Sequence, residues 1–110
     1  MHTMSLQSYW FQQIKDGHKM YEGRVYDSKR RKIQINDYIV FTNEDNDEKI
    51  IKKVKELHIF SSFEEMLNHI SLSLILPGIL SVEEGISIYH NIPLYKENAL
   101  IYGVVAIEFY

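Results

Sequence analysis

The stretch Ala99–Phe109 reads Ala-Leu-Ile-Tyr-Gly-Val-Val-Ala-Ile-Glu-Phe, with one charge near its end. Read as a strand, it is apolar on both faces, so water can wet neither of them. It must sit centrally in a sheet or be wrapped by helices. Any fold open to this chain has to supply apolar cover on two sides of that strand.

The rest of the chain offers the means. Residues 19–26, 33–42 and 49–60 pattern as further strands. Within the last of these the alternation slips: Ile51, Leu57 and Ile59 share one parity, Ile50 and Val54 the other. A bulge or bend reconciles them, as happens where small barrels close. Lys52, Lys53 and Lys55 then face water. Between strands 33–42 and 49–60, Asn43–Glu48 has no apolar residue and reads as a hairpin tip. Its crowded acids lack the ligand spacing of a calcium loop.

Helices are marked by their starts. Ser5 is placed to cap a first helix over residues 5–16, with Leu6, Tyr9 or Trp10, and Ile14 as its apolar stripe. Trp10 and Phe11 read as core anchors, with an aromatic platform for a base as the rival role for Trp10. Overlapping capping boxes, Ser61-x-x-Glu64 and Ser62-x-x-Glu65, precede a helix burying Phe63, Met66, Leu67 and Ile70. Leu72–Leu76 runs into a Pro77-Gly78 turn. Another box, Ser81-x-x-Glu84, opens a helix with Val82, Ile86 and Tyr89 inward that stops before Pro93. The expectation is a single α+β domain over residues 1–110: a small β-barrel of about five strands, three to four flanking helices, and the 61–93 helices inserted before the last strand.

Composition removes several classes of function. The 110 residues contain no cysteine, which excludes disulfides, thiolate metal sites and a cysteine nucleophile. The five histidines are scattered without H-x-x-x-H spacing, so no metal site is expected. His18 alone stands next to a candidate site. Met1–Met4 lacks the pattern of a signal peptide, and no apolar run reaches the roughly 18–20 residues that span a bilayer. These point to an intracellular, cytoplasmic protein without a membrane partner. A net charge of −3 disfavours coating nucleic acid through the overall field. Charge is segregated, however, with a basic run at Lys29-Arg30-Arg31-Lys32 and an acidic one at Glu44–Glu48.

The most informative polar stretch is Gly17-His18-Lys19-Met20-Tyr21-Glu22-Gly23-Arg24. Gly17 is placed to end the first helix in the left-handed conformation. On the strand that follows, Glu22 and Arg24 share a face with Met20, and Lys19 starts on the other. Glu22 and Arg24 can form a simple ion pair at a barrel mouth; with Lys19 they can also grip an anion or a nucleotide.

This G-x-K-x-x-E-x-R pattern resembles the signature of the ASCH domain, a PUA-like β-barrel family. Ile33-Gln34-Ile35-Asn36-Asp37-Tyr38-Ile39-Val40-Phe41 is similar to the family's I-x-x-G-D-x-I-x-F, with Asn36 in place of Gly. Tyr102–Phe109 is similar to its final barrel strand. The resemblance implies a cleft between barrel and helices that binds RNA or a nucleotide, with no cofactor. Lys19, Tyr21, Glu22 and Arg24 would line it, and Lys29, Arg30, Arg31 and Lys32 would form a phosphate-contacting rim.

Some ASCH proteins are similar to amidases that remove the acetyl group of N4-acetylcytidine with a Lys, a Thr and a Glu. Lys19 matches the lysine, whereas Glu22 stands at the threonine and removes that nucleophile. A hydrolase would therefore use Lys19 and Glu22 on a bound water, with Glu83 or Glu84 as the distant carboxylate. A third alternative is a non-catalytic regulatory or protein-interaction module with its apolar patch in Leu72–Leu80. Under the binding reading, Lys19→Ala or Arg24→Ala weakens ligand binding and leaves the fold intact.

Overall fold

A computed structural model describes all of residues 1–110. The strand that needs two covers is β5, Val104–Phe109, and it has them. Its neighbours are β4 (Lys49–Phe60) and β2 (Tyr21–Val25), both antiparallel to it. Val105, Ile107 and Phe109 point into a barrel interior with Met4, Phe11, Ile39, Phe41 and Val54. Val104 and Ala106 point outward, under Phe63, Met66, Ile75 and Tyr89 of the helices. Each face buries its own apolar cluster, which is the hydrophobic gain that fixes β5 in the middle.

The sheet order is β1-β3-β4-β5-β2, where β1 is His2–Leu6 and β3 is Tyr38–Asn43. β4 makes the corner of this curled sheet. Its first half pairs with β3, from Thr42↔Lys49 to Tyr38↔Lys53, and its second half pairs with β5, from Val54↔Phe109 to Phe60↔Val104. The register shifts between Val54 and Glu56, where the alternation slips in the sequence. A bulge there turns the strand and carries the inward parity from Ile50 and Val54 to Leu57. Lys52 and Lys53 are half-buried on this corner, and Lys55 is exposed.

Several boundaries differ from the sequence expectation. Ser5 caps no helix, because residues 2–6 form β1, parallel to β3; the first helix, α1, is Ser8–Lys15 with Gln7 before it. Alternating burial of Met4 and Leu6 wins over the capping signal. β3 begins at Tyr38 rather than at residue 33. Arg30–Lys32 is a 3-10 turn, and Asn36 turns the chain at φ +75. Asn tolerates that left-handed conformation better than other side chains do, which accounts for its standing where the family has Gly. The last strand does not start at Ala99, since Tyr95–Tyr102 is a helix, α5.

The other helices are α2 (Phe63–His69), α3 (Leu72–Ile75) and α4 (Val82–His90), so five α-helices stand where three to four were expected. The Ser62 and Ser81 hydroxyls accept from the backbone N–H of Glu65 and Glu84, as the capping boxes predict. The hairpin tip is as expected: Asn43 and Asn46 side chains accept from the backbone of Asp45 and Glu48. No helix is long and apolar enough to cross a membrane.

Candidate ligand cleft at the barrel seam

β1 and β2 are the two ends of the sheet, and no strand pairing joins them. A side chain does: Arg24 Nη2 on β2 donates to the Ser5 carbonyl on β1 at 3.1 Å. Above this seam lies a cleft of about 370 Å³, within the size range of small-ligand sites. Its floor is Lys19, Glu22, Gly23 and Arg24. One wall is the β1–α1 corner with Trp10, and the other is the end of α4 and the start of α5, with Tyr89 and Tyr95.

The three charged residues of the signature meet here. Glu22 accepts from Arg24 Nε at 2.8 Å through Oε2, and Lys19 Nζ lies 3.2 Å from Oε1. Lys19 also donates to the Ile75 carbonyl, and its ammonium lies 5.5 Å from the centre of the Trp10 ring. Lys19 was expected on the opposite face from Glu22. It reaches the same carboxylate because β2 begins only at Tyr21, so strand alternation does not yet govern residue 19. Gly17, at φ +83, ends α1 as expected, and the turn after it delivers Lys19 into the core at 1% exposure.

Burial opposes each charge, and the outcome differs from group to group. It pushes the Glu22 carboxyl up, but the charges of Lys19 and Arg24 outweigh it and hold the group below its ordinary range. For Lys19, burial prevails over the pull of Glu22 and lowers the ammonium's pKa. Arg24 stays above its ordinary value despite burial, with Glu22 and the Tyr95 hydroxyl beside it.

The ammonium of Lys19 has three donors. Ile75 and Glu22 take two of them, and the Trp10 ring lies beside the ammonium, so Lys19 chiefly positions Glu22. The expectation that Lys19→Ala and Arg24→Ala leave the fold intact is revised accordingly, because either change strips a buried carboxylate of one of its two partners. Arg24, in contrast, keeps guanidinium donors beyond those spent on Glu22 and Ser5.

The aromatic walls are set by stacking. Phe63, fully buried, stacks on Tyr89 with ring centres 4.3 Å apart and on Tyr95 at 5.9 Å, all three rings nearly parallel. Both tyrosines line the cleft. Tyr89 can lie flat on β2 because residue 23 is glycine; a Cβ there would stand 2.6 Å from the phenol oxygen.

The remaining expected site residues are elsewhere. Tyr21 faces away from the cleft and packs on His58, with ring centres 5.8 Å apart. The basic run lies at the far end of α5. Arg30 pairs with Asp27, and Arg31 lies over the Tyr26 ring and donates to the Tyr102 carbonyl. Lys29 and Lys32 are exposed. His18 is exposed beside Gln13, outside the cleft. Glu83 and Glu84 sit at the first turn of α4, whereas it is the last turn that lines the cleft, so neither supplies the distant carboxylate.

Sequence reasoning missed three contributors. Tyr89 was hidden because a tyrosine on an apolar helix face reads as core, and Tyr95 because its helix, α5, was not expected. Trp10, read chiefly as a core anchor, is only half-buried. The available signal was the polar handle of a phenol, which a purely structural position has no need of.

Residues 4–110 match the ASCH domain family. No curated protein matches the chain. Among solved structures, the crystal structure of hypothetical protein PH0355 is 41% identical, with a TM-score of 0.87 over 97% of this chain and 94% of that one. The solution structure of protein PF0455 from Pyrococcus furiosus is 40% identical, with a TM-score of 0.76 over 98% and 94%. The chain belongs to the ASCH domain family.

Proposed function

We propose that this protein binds single-stranded RNA by taking one nucleotide unit into the seam cleft. The supporting observation is how the cleft distributes its polar groups. Lys19 and Glu22 are spent on each other and on the frame, while Arg24 keeps guanidinium donors and Trp10 and Tyr95 give the cleft an aromatic lining. Counting Glu44 at the mouth, the two cations and two carboxylates that line it cancel. Such a site suits a planar, uncharged base better than bulk phosphate. Base–aromatic stacking contributes about 1–3 kcal/mol per base, and an arginine fork adds selectivity.

A longer strand has a second place to hold. α5 runs from Tyr95 at the cleft to Tyr102 at Arg31, and its eight residues span roughly 12 Å. Lys29 and Lys32 are thus available to phosphates about two nucleotides from the bound base.

Trp10 is the only tryptophan and lines the cleft, so its emission reports on occupancy. Titrating uridine monophosphate and a short single-stranded RNA should quench it saturably, and Arg24→Ala should weaken both. An emission that no nucleotide or RNA alters up to millimolar concentration rejects this reading.

A further inference from the structure

One group in the cleft is unexplained by the fold. The Tyr89 hydroxyl is buried, the residue being only 4% exposed, and it has no hydrogen-bond partner. A buried hydroxyl without a partner costs about 1–3 kcal/mol, a cost that natural cores seldom retain without a use. The structure also makes room for it. Gly23 forgoes a side chain where the phenol oxygen lies, and Phe63 fixes the ring by stacking. Burial, reinforced by the negative field of Glu22, keeps this phenol protonated far above its ordinary range, so it remains a donor at any working pH.

Arg24 is the second donor at this end of the cleft. It lines the same cleft as Tyr89 and retains free N–H groups. Two donors lining one cleft favour a ligand atom that can accept twice. A carbonyl oxygen has two lone pairs, whereas an aromatic ring nitrogen has one in-plane pair. A phosphate oxygen could also accept twice, but it would bring its charge against Glu22 and Glu44.

Resting on the nucleotide-binding reading above, we propose that the Tyr89 hydroxyl is the specificity-determining donor of the cleft and selects bases with a ring carbonyl. Uracil, cytosine and guanine carry one; adenine does not. Sites built to hydrogen-bond a ligand discriminate strongly against analogues lacking the group, because the site's own polar atoms are then left unpaired.

The test measures Trp10 quenching by uridine, inosine and adenosine monophosphates, on wild type and on Tyr89→Phe. All three ligands share the phosphate, and inosine matches adenosine in size while carrying the carbonyl. Uridine and inosine monophosphates should bind wild type at least about tenfold more tightly than adenosine monophosphate, and the gap should close in Tyr89→Phe. Inorganic phosphate should not displace them. Thermal melting of Tyr89→Phe should be unchanged or higher, since the change removes an unpaired hydroxyl.

Inosine behaving like adenosine, a gap that survives in Tyr89→Phe, or displacement by inorganic phosphate overturns the assignment. A melting temperature several degrees lower also overturns it, because the hydroxyl would then be holding the fold. These outcomes leave nucleotide binding itself standing. A Trp10 emission that no nucleotide alters removes both.

Discussion

The molecule carries positive charge in two places and uses it differently. At the seam, Lys19 and Arg24 are largely buried and hold one carboxylate between them. At the Arg30–Lys32 turn, Lys29 and Lys32 are in water, and Arg31 lies over the Tyr26 ring. The sequence displays the second group more loudly, as four basic residues in a row. Yet the scattered G-x-K-x-x-E-x-R builds the enclosed site, because enclosure depends on the turn after α1 and the edge of β2. A run of charge states where solvent is; spaced charges converging on one carboxylate state where solvent is excluded.

This contrast is tested most severely by removing Glu22. Glu22→Ala leaves Arg24 buried without its carboxylate and Lys19 with only Ile75 and Trp10. We expect a loss of about 3–5 kcal/mol in urea unfolding, the cost of breaking rather than replacing a buried pair. A loss under 1 kcal/mol would mean that water reaches the triad as freely as it reaches the turn.

The same contrast explains what the sequence made legible. β5 announced its central place, since apolar residues on both faces admit few alternatives. The β4 bulge, the Asn43–Glu48 tip and the Ser62 and Ser81 caps were readable too, each being decided by residues near in sequence. β1 was not: five residues of alternation gain their meaning only from a parallel partner thirty-seven residues away, His2 against Ile39. α5 was hidden because Leu94 enters it in a left-handed conformation without a cap, and Leu100 and Ile101 face solvent. In the site, the triad's membership was legible and its facing was not. Lys19 joins Glu22 through a turn, Arg24 reaches Ser5 across a gap between sheet edges, and Tyr89 arrives from a helix sixty-odd residues later.

A gentler probe uses pH. The Glu22 carboxyl titrates below the ordinary 4.5 in the folded protein, so between the two values the folded chain binds fewer protons than the unfolded one. Its contribution is therefore complete above that window and is lost as pH falls through the folded value. At pH 7, Glu22→Gln should be less stable than wild type by about 1.5–3 kcal/mol, the worth of hydrogen bonds to a charged group. The difference should shrink as pH is lowered below 4.5. Taking the difference from the variant removes other carboxylates, such as Asp37, from the comparison. A gap constant down to pH 3 would show that Glu22 gains nothing from its cations.

The smallest effect belongs to the exposed turn, and it separates the two regions by ligand length. Lys29→Ala with Lys32→Ala should change stability by no more than about 0.5 kcal/mol, as surface substitutions do. Uridine monophosphate affinity should not move, because neither residue lines the cleft. Binding of an RNA long enough to follow α5 should weaken, and its dependence on salt should become shallower, since each lost phosphate contact releases fewer counterions. The logic turns on length: a trinucleotide or longer strand can touch both regions, whereas a mononucleotide reaches only the seam. If the double variant weakens mononucleotide and longer RNA equally, the two regions act as one electrostatic field. If it weakens neither, Lys29 and Lys32 are only a solvated turn, and the whole of the affinity resides in the cleft.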